Sequence, residues 1–310
     1  MAINRAQGCW LGQLTGDALG SLVEFQSPAE IRRLYPEGVR YLADGGTWGT
    51  IAGQPTDDSE LALMLARLLV ERGTYHPEGA RLAYRFWLES GPFDCGLTTA
   101  QGLEGRPNLH SQANGAMMRI SPLGIFGARY PLAKVGEWAR QDAALTHPHP
   151  VCQQANALFA MAIAQAVKTG PSPEDLYQQV VAWAVEGVVD PTLLEAIRGA
   201  ASGPPVDYIE RQGWVLIALG NALWQLLQAP DLEAGVVDTV MRGGDTDTNA
   251  AICGALLGAV YGVEAIPAQW LERVLSCRPQ SGRAGVHRPR PECFGPVDGL
   301  GLAAALGGEG

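Results

Sequence analysis

Paired cysteines are missing from this sequence. Its six cysteines stand singly at positions 9, 95, 152, 253, 277 and 293, so no CxxC motif is available. A scattered set in a chain of this length reads as the reduced thiols of a cytoplasmic protein. Long apolar runs are missing too. The longest low-charge stretch, 249–263, is too short and too glycine-rich to predict a membrane span. Residues 1–7 show no basic region leading into an apolar one, so no signal peptide is expected. Alternating runs of Val, Ile and Tyr are scarce, which predicts few strands. Basic charge is in short supply: 22 Lys and Arg against 32 Asp and Glu leave a net charge of −10. That balance argues against a nucleic-acid backbone as the main partner, because phosphate binding needs basic patches. It is compatible with a small phosphorylated ligand held by backbone amides or metals.

What is present is helical. Of the 310 residues, 47% are hydrophobic and only 17% charged, enough for a sizeable core and unlike a disordered chain. Apolar periodicity predicts helices over 61–70, 77–88, 132–144, 153–167, 173–185, 214–227 and 250–260. No Pro/Ser linker and no composition shift occurs before about residue 278. The reading is one mostly α-helical domain over 1–310, with 278–310, rich in Gly and Pro, as an irregular wrap with a frayed end. The 39 glycines are informative by placement. Gly8, Gly12, Gly16 and Gly20 recur every fourth residue, and Gly254, Gly258 and Gly262 do the same, continuing from Ala250. On a helix this spacing makes a smooth stripe that lets backbones approach. Two buried central helices packed closely together, one from each end of the chain, are expected.

Two acidic clusters carry the chemistry. Thr56-Asp57-Asp58-Ser59-Glu60 lies near the start, and Gly243-Gly244-Asp245-Thr246-Asp247-Thr248-Asn249 near the end. Oxygen-only donors of this kind suit hard divalent cations. Both clusters also read as helix N-termini. Asp57 to Glu60 fits a capping box, and Asp245 or Thr246 fits a cap for the helix through Ala250. A cap needs one oxygen, whereas each cluster offers three or more, and paired acids repel unless a positive charge sits between them.

With these motifs in view, the chain resembles the ADP-ribosylglycohydrolase family. The resemblance rests on Gly16-Asp17-Ala18-Leu19-Gly20-Ser21-Leu22-Val23-Glu24-Phe25, Thr56-Asp57-Asp58-Ser59, Asn114-Gly115-Ala116-Met117-Met118-Arg119, Thr146-His147 and Gly243 to Asn249, which occur in the family's order across roughly residues 8–276. It implies an all-α orthogonal helical bundle with a two-metal cleft, and cleavage of the glycosidic bond that joins ADP-ribose to a modified target. Thr56, Asp57, Asp58, Asp245, Asp247 and Thr248 are the implied ligands of two divalent cations, Mg²⁺ or Mn²⁺, with Asp247 bridging them. Two hard cations about 3.5–4 Å apart need such a bridge.

The same resemblance extends to the substrate. Asp57, Asp94, Asp247 and Glu24 are the carboxylates expected to serve catalysis. Asp94 would face the guanidinium of a modified arginine, which a carboxylate matches through paired hydrogen bonds. Asn114, Gly115, Ala116, Met117, Arg119 and His147 are the substrate-binding candidates. The loop N–H groups would cradle the diphosphate, and His147 would lie near a ribose or the adenine. For Arg119, a core brace held by buried hydrogen bonds is the alternative. The implied partners are an ADP-ribosylated protein and ADP-ribose as product. ADP-ribosylarginine is the expected substrate. Serine-, nucleobase- or O-acetyl-linked ADP-ribose, or a relative that binds without catalysis, are the alternatives. No membrane partner is expected.

Overall fold

The computed structural model describes residues 2–308 and is all-α; among them only isolated bridges, Gly45 with Thr50 and Ala113 with Trp214, stand in for extended pairing. The N-terminal part contains α1 (Ala2–Gly20), α2 (Pro28–Leu34), α3 (Asp57–Arg72), α4 (Pro77–Glu89) and α5 (Leu97–Leu103). The middle contains α6 (Ser121–Gly127), α7 (Leu132–Ala144), α8 (Pro150–Thr169), α9 (Pro173–Glu186) and α10 (Pro191–Gly199). The last part contains α11 (Val215–Gln228), α12 (Leu232–Met241), α13 (Thr246–Tyr261), α14 (Ala268–Ser276) and α15 (Gly299–Gly307). A chain with 21 prolines can be this helical because of where they fall. In α2, α4, α6, α8, α9 and α10 a proline occupies the first turn, where its missing N–H costs nothing. Each helix predicted from periodicity is present, and α3 and α8 extend three or four residues further toward the N-terminus.

The glycine stripes face one another. α1 and α13 run antiparallel at backbone contact, in a register that steps by four. A Cβ on Gly8 would lie 2.3 Å from the Gly258 carbonyl oxygen, on Gly12 2.2 Å from that of Gly254, and on Gly16 2.2 Å from that of Ala250. Only hydrogen fits at those three positions. The remaining helices wrap this pair, with Trp10, Trp87, Trp270, Phe126 and Phe159 fully buried in the surrounding core.

The C-terminal expectation needs correction. From 278 to 298 the chain is irregular apart from a 3₁₀ turn at Glu292–Phe294, but α15 follows, with Leu302, Ala303 and Leu306 buried against α1, α3 and α6. A nine-residue glycine-rich segment is too short to be helical alone, so docking on the bundle supplies its stability. Residues 309 and 310 lie outside the described residues.

Candidate metal centre and substrate cleft

The two acidic clusters open the two central helices of the site, α3 and α13. Their N-caps are Thr56 and Asp245, and neither side chain caps its own helix. The capping-box reading of Asp57 to Glu60 is therefore wrong. Glu60 instead turns into the core, where it accepts from Trp87 Nε1 at 2.7 Å and forks with Arg290 at 2.7 and 2.8 Å. Thr56 Oγ1 points at Asp17 Oδ1, 2.8 Å away, and at Asp58 Oδ2, 3.2 Å away. The orphan N–H groups at the start of α3 are met from another helix. Asp17 on α1 accepts from Thr56 N at 3.2 Å and Ser59 N at 3.1 Å, leaving the oxygens of Thr56 and Asp58 for other work.

The start of α13 is fixed just as tightly. Gly243 and Gly244 both adopt left-handed backbone (φ 74° and 76°), where a Cβ would strike the Gln26 and Tyr208 carbonyl oxygens. Phe25 N donates to the Gly244 carbonyl at 2.7 Å, and Gly244 N donates to that of Gln26 at 3.0 Å. Thr246 Oγ1 donates to the Gly20 carbonyl at 2.7 Å, tying the helix start to the end of α1.

These constraints bring residues far apart in sequence into one constellation. Carboxylate oxygens of Asp17, Asp58 and Asp247 lie within 4.8 Å of one another, and so do those of Glu24, Asp94 and Asp247. Thr248 Oγ1 lies 3.3 Å from Asp58 Oδ2, a direct link between the two sequence clusters. Asp57 accepts from Gly96 N at 3.2 Å and Asp245 from Asn114 Nδ2 at 2.7 Å, which orients both at the cleft. Asp94 stands outside both clusters in sequence but inside the constellation in space.

Seven carboxylates thus meet here, and among the described residues none has an ion-pair partner. Burial, reinforced by neighbouring acids, raises most of them. Asp57 is pushed up to about 7, Glu24 to about 8 and Asp94 to about 9. Asp58 and Asp247 rise well above the carboxylate range for the same reasons. For Asp17 burial dominates and the Thr56 and Ser59 hydrogen bonds oppose it, leaving it near 6. Like charges held this close call for an intervening positive charge or for protons. The N-termini of α3 and α13 supply only partial positive charge. Asp58 Oδ1 is buried without any hydrogen-bond partner. An all-oxygen donor set with one such open oxygen fits hard divalent cations such as Mg²⁺ or Mn²⁺.

The constellation forms the floor of a cleft of about 410 Å³. Glu24, Asp57, Asp94, Asn114, Gly115, His147, Asp245, Asp247 and Thr248, all singled out from sequence, line it. Thr56 and Asp58 are fully buried just behind. Three substrate-binding candidates are placed elsewhere. Ala116 and Met117 are fully buried and do not line the cleft. Arg119 is fully buried as well; its guanidinium pairs with Asp142 at 3.0 Å, donates to the Gly115 and Asp142 carbonyls and lies over the Tyr84 ring. It is the core brace that sequence left open as an alternative, with no free donor aimed at a ligand.

Sequence reasoning missed Asp17 as a member of the constellation, although an acid inside a glycine-striped apolar helix was the available signal. It also missed the aromatic mouth. Trp48 Nε1 donates to Glu24 Oε2 at 2.5 Å, and the Trp48 ring packs against Phe25 and Phe93 at centroid distances of 6.4 and 5.9 Å. Isolated aromatics in loops carry no periodic signal.

Comparison with known proteins agrees with this geometry. Residues 2–287 match the ADP-ribosylglycohydrolase family. The ADP-ribosyl-[dinitrogen reductase] glycohydrolase of Rhodospirillum rubrum is 31% identical, over 87% of this chain and 90% of that protein. The ADP-ribosylarginine hydrolase Tri1 of Pseudomonas putida (strain GB-1) is 28% identical, over 88% and 75% respectively. A solved structure described as an ADP-ribosylglycohydrolase-related protein complex superposes with a TM-score of 0.81 at 27% identity, covering 99% of this chain and 98% of that one. The chain belongs to the ADP-ribosylglycohydrolase family. It is a hydrolase of ADP-ribosyl glycosidic bonds. No described helix is long and apolar enough to cross a membrane.

Proposed function

We propose that this enzyme removes ADP-ribose from arginine side chains of modified proteins, using two divalent cations, Mg²⁺ or Mn²⁺, held by the acidic constellation. The observation that carries the reading is the convergence of seven carboxylates in and behind one cleft, six of them buried and, among the described residues, none paired with a basic side chain. Asp58, Asp247, Asp57 and Asp245, with Thr56 and Thr248, would hold the cations, and the place of Asp247 in both acidic triads supports a shared-ligand role for it. Bound cations supply Lewis acidity and a fixed anchor for a ribose diol.

The chain's own groups do the rest. Asn114 orients Asp245 through its amide. The N–H groups of Met117 and Met118 are engaged by the Asn114 carbonyl at 2.7 and 3.2 Å, so these two are not free to cradle a diphosphate, while the tight turn they make keeps Asn114 and Gly115 at the cleft wall. Asp94 is half-buried at the cleft, where burial and neighbouring acids raise its proton affinity in the cation-free protein. As a carboxylate it is suited to face a guanidinium, and a proton taken up there can be passed to the departing nitrogen. As the anomeric carbon–nitrogen bond breaks, the sugar develops oxocarbenium-like charge that the surrounding carboxylates stabilise. Water then adds to that carbon, giving ADP-ribose and free arginine.

The test is a panel of arginine-, serine- and nucleobase-linked ADP-ribose substrates, with Mg²⁺, Mn²⁺ or EDTA, read as free ADP-ribose. Arginine-linked substrate is expected to be cleaved fastest, and EDTA to abolish cleavage. Undiminished turnover in EDTA, or preference for another linkage, would overturn the corresponding part of the reading.

A further inference from the structure

Behind the cleft runs a buried polar chain that the acidic constellation does not use. Tyr75 and Tyr84 donate their hydroxyls to Asp142 Oδ2 at 3.3 and 2.8 Å. Asp142 Oδ1 accepts from Arg119 Nε at 3.0 Å, both side chains being fully buried. Arg119 Nη1 donates onward to Thr146 Oγ1 at 3.0 Å, and Thr146 Oγ1 lies 2.7 Å from His147 Nδ1. The chain ends at His147 Nε2, which is buried, has no hydrogen-bond partner among the described residues, and belongs to a ring that lines the cleft.

Donor and acceptor roles along this chain are determined from one end. A guanidinium only donates, so Thr146 Oγ1 is an acceptor toward Arg119. The Thr146 hydroxyl hydrogen then needs an acceptor of its own, and among the described residues the one within hydrogen-bond distance is His147 Nδ1. The reverse arrangement, with Nδ1–H donating to the second lone pair of Oγ1, would leave that buried hydroxyl hydrogen without an acceptor, so satisfaction of the chain places the ring hydrogen on Nε2. The ring is neutral: burial, with the positive charge of Arg119 added, holds its pKa down at about 3. Gly115 lies against the ring edge, where a Cβ would crowd the nitrogen at 3.2 Å.

We propose that Thr146, held by Arg119, is a positioning residue that fixes the tautomer and orientation of His147, so that Nε2–H stands as a donor toward an acceptor oxygen of a ligand in the cleft. The ligand class is a sugar or phosphate oxygen of a nucleoside diphosphate sugar, and that part rests on the proposed function. The core brace and the binding site are then one device. Tyr75, Tyr84 and Asp142 hold Arg119, Arg119 turns the Thr146 hydroxyl, and the hydroxyl sets the imidazole. Because the ring stays neutral, this donor does not titrate over the range in which the acids around the cleft do.

The test is ¹⁵N NMR of the His147 imidazole in ligand-free protein, with Thr146→Val and Thr146→Ser, together with ADP-ribose affinity by calorimetry. The native spectrum is expected to show a protonated Nε2 and a bare, hydrogen-bonded Nδ1. In Thr146→Val the Nδ1 signal should move toward that of an unbonded nitrogen and ADP-ribose affinity should fall about tenfold. Thr146→Ser should restore both. A proton on Nδ1 in the native protein overturns the proposal, and that measurement needs no variant to fold. So does a Thr146→Val protein in which either the Nδ1 signal or the affinity is unchanged. If native protein fails to bind ADP-ribose, the proposed function fails while the spectrum still decides the tautomer.

Discussion

Asp247 is the residue on which both acidic triads converge, with Asp17 and Asp58 on one side and Glu24 and Asp94 on the other. Asp247→Ala is expected to act in opposite directions with and without metal. Without metal it removes an acid that burial and its acidic neighbours keep from ionising, so the melting temperature in EDTA should rise or hold. With metal it removes a shared ligand, so bound Mn²⁺ per chain should fall and hydrolysis should drop by at least about a hundredfold. Mass spectrometry of metal content and a turnover assay check both halves. A pH dependence follows from the same crowd of acids. Burial raises the native values of Asp17, Asp57, Glu24 and Asp94 to about 6, 7, 8 and 9, above those of the unfolded chain. The cation-free native state therefore holds more protons than the unfolded state. The stability these groups contribute is complete below their unfolded values and is lost as pH rises through 6 to 9. Cations displace those protons and cancel the loss. Thermal shift on adding Mn²⁺ should therefore grow steadily from pH 5.5 to 9, measured against EDTA at each pH.

At the scale of the element, the α1–α13 pair is both scaffold and site. Its glycine register brings Gly20 against the first turn of α13, where a Cβ would sit 2.5 Å from Asp247 Cα. At the opposite end Gly8 meets Gly258 and Gly262, far along both helices from the acids. Either substitution to alanine forces backbone apart and should destabilise by about 2–4 kcal/mol, overpacking outweighing the roughly 1 kcal/mol gain in helix propensity. The two should differ in function. Gly20→Ala displaces Asp247 and should weaken Mn²⁺ affinity as well, whereas Gly8→Ala should leave metal affinity in the folded protein near native. Urea unfolding and metal titration separate the effects. Much of this element was legible in sequence, because a four-residue repeat on a helix has only one geometric meaning. The partner of the stripe was an inference from like pattern at the two chain ends, and the observed register bears it out. The starts of α3 and α13 were legible as helix starts, but not the fact that the N–H groups opening α3 are met from another helix. Capping by Asp17 is a contact across 39 residues that no local pattern encodes.

The whole molecule is closed by its C-terminal segment. Arg290 reaches from that irregular stretch into the core, forks onto Glu60 and donates to Ser90 Oγ at 2.8 Å. Two residues earlier, Arg288 donates to the Trp48 carbonyl at 3.0 Å and its own carbonyl accepts from Gln54. The segment thus braces α3 one turn after Asp57 and Asp58, and it steadies the loop carrying the aromatic mouth. Arg290→Met strands Glu60 as a buried acid without its cation and should cost about 3–5 kcal/mol in urea unfolding. Arg288→Ala, which removes only an exposed hydrogen bond, should cost far less.

The sequence by itself determined the helical class, the presence of most of the longer helices, the facing glycine stripes and the two oxygen-rich clusters. Those features follow from periodicity and from residue chemistry, both of which are local. Tertiary structure decided which oxygens are free. It turned Glu60 away to Arg290, spent Asp17 on the start of α3, brought Asp94 and Glu24 to Asp247, and withdrew Arg119 from the cleft to the core. A side chain's role depends on which neighbours compete for its hydrogen bonds, and those neighbours arrive from 23 residues away for Arg119 and 230 for Glu60. Long-range competition of that kind is settled only when the chain has folded.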